Sequence, residues 1–232
     1  MGVIGIIGAM DAEVNGLIAK LDGHRIESVG GIEFHTGRLL RREVVIARCG
    51  VGKVFAAMCA EAMIIRFSPD LIVNTGVAGG LDPKLSCADI VVAEKLCQHD
   101  MDTSAIGDEK GLISGINKVY FESDSLAVDA VILSGYELGI TVKKGTIATG
   151  DKFIADDIDR NRIISEFGAS ACEMEGGAIA HTAFVNNVPF VVIRAISDGA
   201  NSDAKMDFPT FLAVAAKKSE ALTLALVEKY QK

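Results

Sequence analysis

No apolar run in this chain approaches the roughly 18 residues that a bilayer span requires, and no basic segment precedes its first apolar stretch, which ends at Asp11 and Glu13. A membrane or secreted protein is therefore not expected. Ile6 stands where an N-myristoylation signal would carry Ser or Thr, so that anchor is not expected either. The five cysteines (Cys49, Cys59, Cys87, Cys97 and Cys172) are odd in number and never spaced as Cys-x-x-Cys, which argues for reduced thiols and a cytoplasmic protein. There are only 4 prolines, and no repeat, low-complexity tract or linker interrupts the chain. Positive charge is also scarce: 23 Lys and Arg stand against 31 Asp and Glu, for a net charge of −8. A nucleic-acid partner needs a clustered basic field, and the doublets Arg41-Arg42 and Lys217-Lys218 read as solvated faces.

What is present is apolar and glycine-rich. With 232 residues, 50% hydrophobic and 24 glycines, the chain suits one domain over residues 1–232 with a large core. Val3–Ile7, Val44–Arg48, Leu71–Asn74, Ile90–Ala93, Gly145–Thr149, Ala171–Met174 and Phe190–Ala195 read as buried strands of a mixed, mostly parallel sheet. Helical spacing or helix-forming residues fill Val54–Phe67, Ser125–Leu138, Asp157–Phe167, Ala178–Asn186 and Phe208–Lys229, an alternation that predicts an α/β fold. Ile32–Leu39 and Glu43–Arg48 form a predicted antiparallel hairpin. Gln98–Lys118 is long, polar and without period, as expected of a lid, a binding loop or an oligomer contact.

Three acidic motifs follow predicted strands: Glu13 after the first, Glu175 in Glu173-Met174-Glu175, and Asp198 in Ile196-Ser197-Asp198. Ligand crevices of open α/β sheets lie at the carboxyl ends of strands, so these acids are candidates for one shared site. Competing readings exist for two of them. Asp11 and Glu13 also suit a first helical turn, where acids complement the helix dipole, and Ser197-Asp198-Gly199-Ala200-Asn201 is turn chemistry. Glu173 and Glu175 would face opposite sides of a strand, so at most one is expected to meet a ligand directly.

The glycine motifs differ in weight. Gly5-x-x-Gly8 is no dinucleotide fingerprint, and Gly50-Val51-Gly52-Lys53-Val54 has Val where a phosphate loop needs Ser or Thr. Asn74-Thr75-Gly76-Val77-Ala78-Gly79-Gly80 is more specific, because glycines at a strand end let the backbone approach a ligand closely. His99-Asp100-Met101-Asp102 has metal-binding residue types without a second His cluster, so no metal is expected, and His181 reads as a core histidine.

Taken in order, residues 8–13, 50–53, 74–80, Thr149–Ile154, 173–175 and 194–198 closely resemble the 5′-methylthioadenosine/S-adenosylhomocysteine nucleosidases, and His99–Asp102 and Asp207–Leu212 extend the match over almost the whole chain. The resemblance implies a three-layer α/β/α sandwich of the purine nucleoside phosphorylase type, a homodimer, and hydrolysis of an adenine nucleoside by water without a cofactor. It implies that Glu13 activates the water, that Asp198 protonates or hydrogen-bonds adenine N7, and that Glu175 accepts from the ribose hydroxyls. Met174 and Phe153 would line sugar and base, the backbone of Ile154 would read the purine edge, and Ala78 and Gly79 would pass close to the nucleoside. Met10, Val51 and Phe208 would form apolar wall, and Ser197 would stand among the substrate-binding residues. Two positions depart from the pattern: Val77, where many relatives have Ser or Thr, and Ile106, where an aromatic often closes the pocket from the partner subunit.

A phosphorylase of the same fold and a ligand-binding module without turnover are the alternatives, as is a nucleosidase preferring 5′-deoxyadenosine or aminodeoxyfutalosine. Against phosphorolysis, Asp11 and Glu13 would repel phosphate where a phosphorylase holds it. Against a binding module, all three acids are present together.

Overall fold

The computed structural model describes residues 2–198 and 208–230, with side chains at 2–197 and 214–230. The elements in chain order are β1 (Ile4–Gly8), α1 (Asp11–Ile18), β2 (Asp22–Val29), β3 (Ile32–Leu39), β4 (Arg42–Arg48), α2 (Lys53–Phe67), β5 (Leu71–Gly80) and β6 (Ile90–Gln98). A short 3-10 turn at Ser104–Ile106 and β7 (Phe121–Glu122) lead to α3 (Ser125–Leu138), β8 (Val142–Thr149), α4 (Asp157–Phe167), β9 (Ala169–Glu173), α5 (Gly176–Val185), β10 (Phe190–Asp198) and α6 (Phe208–Lys229).

Local chemistry sets several of these boundaries. The Asp124 carboxylate accepts the Ala127 N–H to start α3, the Asp156 carboxylate accepts the Asp159 N–H to start α4, and Gly139 and Gly168 end those helices in left-handed conformation. The β3–β4 hairpin turns through Leu40 and Arg41, both at positive φ, as a two-residue turn matching strand twist requires.

The strands form one mixed sheet in the order β10-β6-β8-β9-β5-β1-β4-β3-β2, with β7 beside β6. β5 also pairs with β10, so the strands around β5, β10, β6, β8 and β9 close on themselves. The long central ladders, β5–β10 and β6–β8, are parallel, while the β2–β3–β4 edge is antiparallel. Buried strands alternate between two apolar faces. Ile7, Ile72, Val91 and Val192 pack with Ala56, Met63 and Ile179 of α2 and α5, whereas Ile6, Val73, Val92 and Ile193 pack with Val14, Val131 and Leu222 of α1, α3 and α6. This is the three-layer sandwich that the resemblance implies.

The expected strands and helices recur with shifted ends. β6 continues to Gln98, so the long loop begins at His99, and β9 stops at Glu173 rather than Met174. β2 was not expected: its residues Asp22–Ile26 are exposed on an edge strand, so no alternation of apolar residues marks it.

Candidate active site

A cavity of about 250 Å³ opens at the carboxyl ends of β1, β5, β9 and β10. Ala9 and Met10 line it after β1, Glu13 comes from α1, and Val77, Ala78 and Gly79 come from β5. Lys152, Phe153 and Ile154 enter after β8, Cys172 to Glu175 from the end of β9 and the turn beyond it, and Ser197 from β10, with Val51 ahead of α2. Val51 and Phe153 are about half exposed or more and stand at the mouth.

Glu13 occupies the third position of α1 and turns back on its own helix start. One carboxylate oxygen accepts the N–H groups of Ala9 at 2.7 Å and Met10 at 3.0 Å; the other accepts Val77 N–H at 3.1 Å. Gly8 and Gly76 make room for it. A Cβ on Gly8 would lie 2.7 Å from Val14 and 3.1 Å from Glu13 Cβ, and one on Gly76 would lie 2.6 Å from Glu13 Oε1. Burial raises the Glu13 carboxyl above the usual glutamate range, opposed by the Arg194 guanidinium and the three N–H donors.

Glu175 is the residue before the first turn of α5, at φ −131 and ψ −41, already off the strand path. Its Oε1 accepts Gly52 N–H at 2.9 Å. Burial, and then the neighbouring Glu173 charge, push its carboxyl up to about 7, against the pull of Arg194. Both Glu173 and Glu175 line the cavity, although Glu173 turns its carboxylate to protein donors. Alternation holds along a strand, but β9 ends at Glu173 and the turn into α5 brings both residues to the cavity wall.

The half-phosphate-loop motif has a different use from the one its glycines suggest. Gly50 and Gly52 adopt positive φ, Gly52 presents its N–H to Glu175, and Lys53 N–H donates to Asp151 at 2.8 Å. Asp100 accepts from Lys53 Nζ at 2.6 Å and from Asp151 N–H at 2.9 Å, so it ties the start of α2 to the loop carrying Phe153 and Ile154.

The expected site residues Glu13, Glu175, Met174, Phe153, Ile154, Ala78, Gly79, Met10, Val51 and Ser197 all line the one cavity. The backbone of Asp198 pairs with Gly79 at its edge; the side chains of Asp198 and Phe208 lie outside the described residues, as does the turn after Asp198. Val77 contributes its N–H to Glu13, and its side chain half-buries against the α1, α3 and α6 face. Ile106 is 82% exposed and does not reach the cavity of its own chain. His181 stacks on Phe121 and lies 3.3 Å from the Gln98 amide, a packed, partly buried histidine. Among the described residues no group of three or more His, Cys, Asp or Glu is arranged to hold a metal ion.

Sequence reasoning missed Arg194 as a site residue. Its guanidinium is fully buried, pairs with Glu173 and Asn74, and a Cβ on Gly76 would come 3.2 Å from its Nη1. An arginine inside the otherwise apolar run Val191–Ile196 was the available signal, because a buried charge must be paired.

Comparison with known proteins assigns the family. Residues 3–228 match the model of the phosphorylase superfamily. A 5′-methylthioadenosine/S-adenosylhomocysteine nucleosidase from Colwellia psychrerythraea, solved with adenine, is 37% identical over 100% of this chain and 98% of its own, with a TM-score of 0.93. The nucleosidase of the same name from Neisseria meningitidis, solved with methylthio-immucillin-A, is 32% identical over 99% and 100%, at 0.95. A futalosine hydrolase from Helicobacter pylori is 33% identical over 99% and 98%, at 0.93. The chain belongs to the phosphorylase superfamily and, like the nucleosidases it resembles, is an N-glycosyl hydrolase.

Proposed function

We propose that this enzyme hydrolyses 5′-methylthioadenosine and S-adenosylhomocysteine to adenine and the 5′-thioribose product, serving methionine salvage and the recycling of S-adenosylmethionine by-products in the cytoplasm. The observation that carries this reading is the convergence of Glu13 and Glu175 on one cavity walled by Met10, Val51 and Phe153. Breaking an N-glycosidic bond develops positive charge on the ribose and negative charge on the purine, so carboxylates belong beside the sugar and an acid beside the base. Glu13, anchored by three N–H donors, takes the proton of the attacking water. Glu175 accepts from the ribose hydroxyls, and Asp198, carried on β10 to the edge of Gly79, protonates N7.

Hydrolysis is favoured over phosphorolysis because the described cavity offers phosphate no free cation. Arg194 is committed to Glu173 and Asn74, Lys152 is paired with Asp159, and Glu13, Glu173 and Glu175 repel an anion. The apolar mouth formed by Val51 and Phe153 suits a methylthio group. Assembly as a homodimer is part of the same proposal: Val51 at the mouth continues into exposed Val54, Phe55 and Met58 of α2, and Ile106 on the long loop is exposed, as a residue offered to a neighbouring pocket would be.

The test is product analysis on purified protein with methylthioadenosine, adenosylhomocysteine, 5′-deoxyadenosine and aminodeoxyfutalosine. Free adenine released from methylthioadenosine without phosphate is expected. A ribose 1-phosphate product, or a rate proportional to phosphate, would overturn hydrolysis; faster turnover of aminodeoxyfutalosine would overturn the substrate assignment.

A further inference from the structure

That mechanism leaves unused the most heavily committed carboxylate around the cavity. Glu173 ends β9 and is buried. One of its oxygens accepts the Thr149 hydroxyl; the other accepts the Arg194 guanidinium, Glu175 N–H at 3.1 Å and Gly176 N–H at 2.7 Å. Thr149 Oγ1 in turn accepts Gly177 N–H at 2.6 Å. Three successive N–H groups at the start of α5, which have no partners within the helix, are thus held by Glu173 and its threonine. Four protein donors meet this carboxylate, three on Oε2 and one on Oε1, so Glu173 works mainly inward on the protein.

Through these contacts it reaches both neighbouring acids at one remove. Its bonds fix the backbone that carries Glu175. Its ion pair fixes Arg194, which also donates to the Asn74 side-chain oxygen, itself anchored by Asn74 Nδ2 to Ile7 O at 2.9 Å. Arg194 Nη1 and Glu13 Oε1 both stand beside Gly76, and the guanidinium charge acts on the Glu13 carboxyl. We infer that Glu173 is the positioning residue of this site, setting through the α5 start and Arg194 where the ribose-side carboxylate and the water-activating carboxylate stand. The inference rests on the nucleosidase reading above.

It carries a signature that a structural prop would lack. The charged and titratable groups facing Glu175 are Glu173 from β9, Arg194 from β10, Glu13 from α1 and Cys49 after β4. Removing the Glu173 charge relieves repulsion on Glu175 and releases Arg194 toward it, so Glu175 ionises at lower pH.

The experiment compares kcat/KM for methylthioadenosine against pH in wild type, Glu173→Gln, Glu173→Asp and Thr149→Val, with circular dichroism confirming folding. Glu173→Gln is expected to lose about 10²-fold, the scale of a small misplacement of reacting groups, and to move its acid limb to lower pH. Glu173→Asp restores the charge but not the reach, so its acid limb returns while its rate stays low. Thr149→Val keeps the charge but loses the hydroxyl that donates to Glu173 and accepts Gly177 N–H, lowering the rate about tenfold with the acid limb unmoved. An acid limb unchanged in Glu173→Gln, or rates within about twofold of wild type in Glu173→Asp and Thr149→Val, would overturn the assignment; the last two variants decide it if Glu173→Gln does not fold. A wild type that releases no adenine would instead refute the nucleosidase reading, and this inference with it.

Discussion

Replacing Glu175 with Gln is expected to stabilise the protein at alkaline pH while disabling it. In the folded chain burial and the Glu173 charge raise the Glu175 carboxyl from 4.5 to about 7. Below pH 4.5 the group is protonated in both states and costs nothing. As pH rises toward 7 the unfolded chain ionises first, so the stability present at low pH is lost through this window and stays lost above it. The interval corresponds to at most about 3 kcal/mol at pH 8. For a chain of this length that is a melting shift of about 6–12 °C. A glutamine removes the ionisation while its amide oxygen can still accept the Gly52 N–H that Glu175 holds at 2.9 Å. Thermal melts of ligand-free wild type and variant between pH 4.5 and 8 should therefore diverge with rising pH, the variant melting higher. The same variant should lose kcat and gain KM, because the ribose hydroxyls are bound in ground and transition states alike. A melting difference that does not change with pH, or a variant less stable at pH 8, would refute the reasoning.

Two other substitutions probe the remaining parts of the site. Asp198→Asn should lower kcat by about 10²–10⁴ with KM nearly unchanged, since an amide can hydrogen-bond N7 but cannot deliver a proton; steady-state kinetics that retain near-normal kcat would return Asp198 to a turn residue. Gly76→Ala would place a methyl 2.6 Å from the Glu13 oxygen and 3.2 Å from Arg194 Nη1, so kcat should fall about 10²-fold from displacement of the carboxylate. A Gly76→Ala enzyme with full kcat would show that Glu13 does not need its present position.

The layer architecture was legible because buried strands announce themselves as short apolar runs separated by helical spacing, and those runs fell on β1, β4, β5, β6, β8, β9 and β10. The charged edge strand β2 carried no such signal and is held by its pairing with β3. The acids were legible as strand-end residues, but what distinguishes Glu13 from an ordinary helix-start carboxylate is a contact to Val77, which lies 64 positions away. Glu173 and Glu175 were separated by a two-residue period that the chain abandons one residue earlier than expected. Arg194 shows the complementary case: its type was visible in an apolar strand, while its partners Glu173 and Asn74 come from other strands that only the fold assembles.

These long-range contacts explain why the fold tolerates an arrangement that opposes its own stability. Glu13, Glu173 and Glu175 face a single guanidinium; burial raises the Glu13 and Glu175 carboxyls, and the Glu173 charge adds to the rise at Glu175. Water would screen such repulsion, but these groups are buried. The charge that best complements them is a cation forming inside the cavity, and a ribose losing its purine supplies one only as the glycosidic bond breaks. A neutral nucleoside gains little from the field in its ground state, so the interaction strengthens mainly on the way to the transition state, where it lowers the barrier instead of tightening substrate binding. A hydrolase benefits directly from that difference. A phosphorylase could not use the same field without first cancelling it with cations, because its second substrate is an anion.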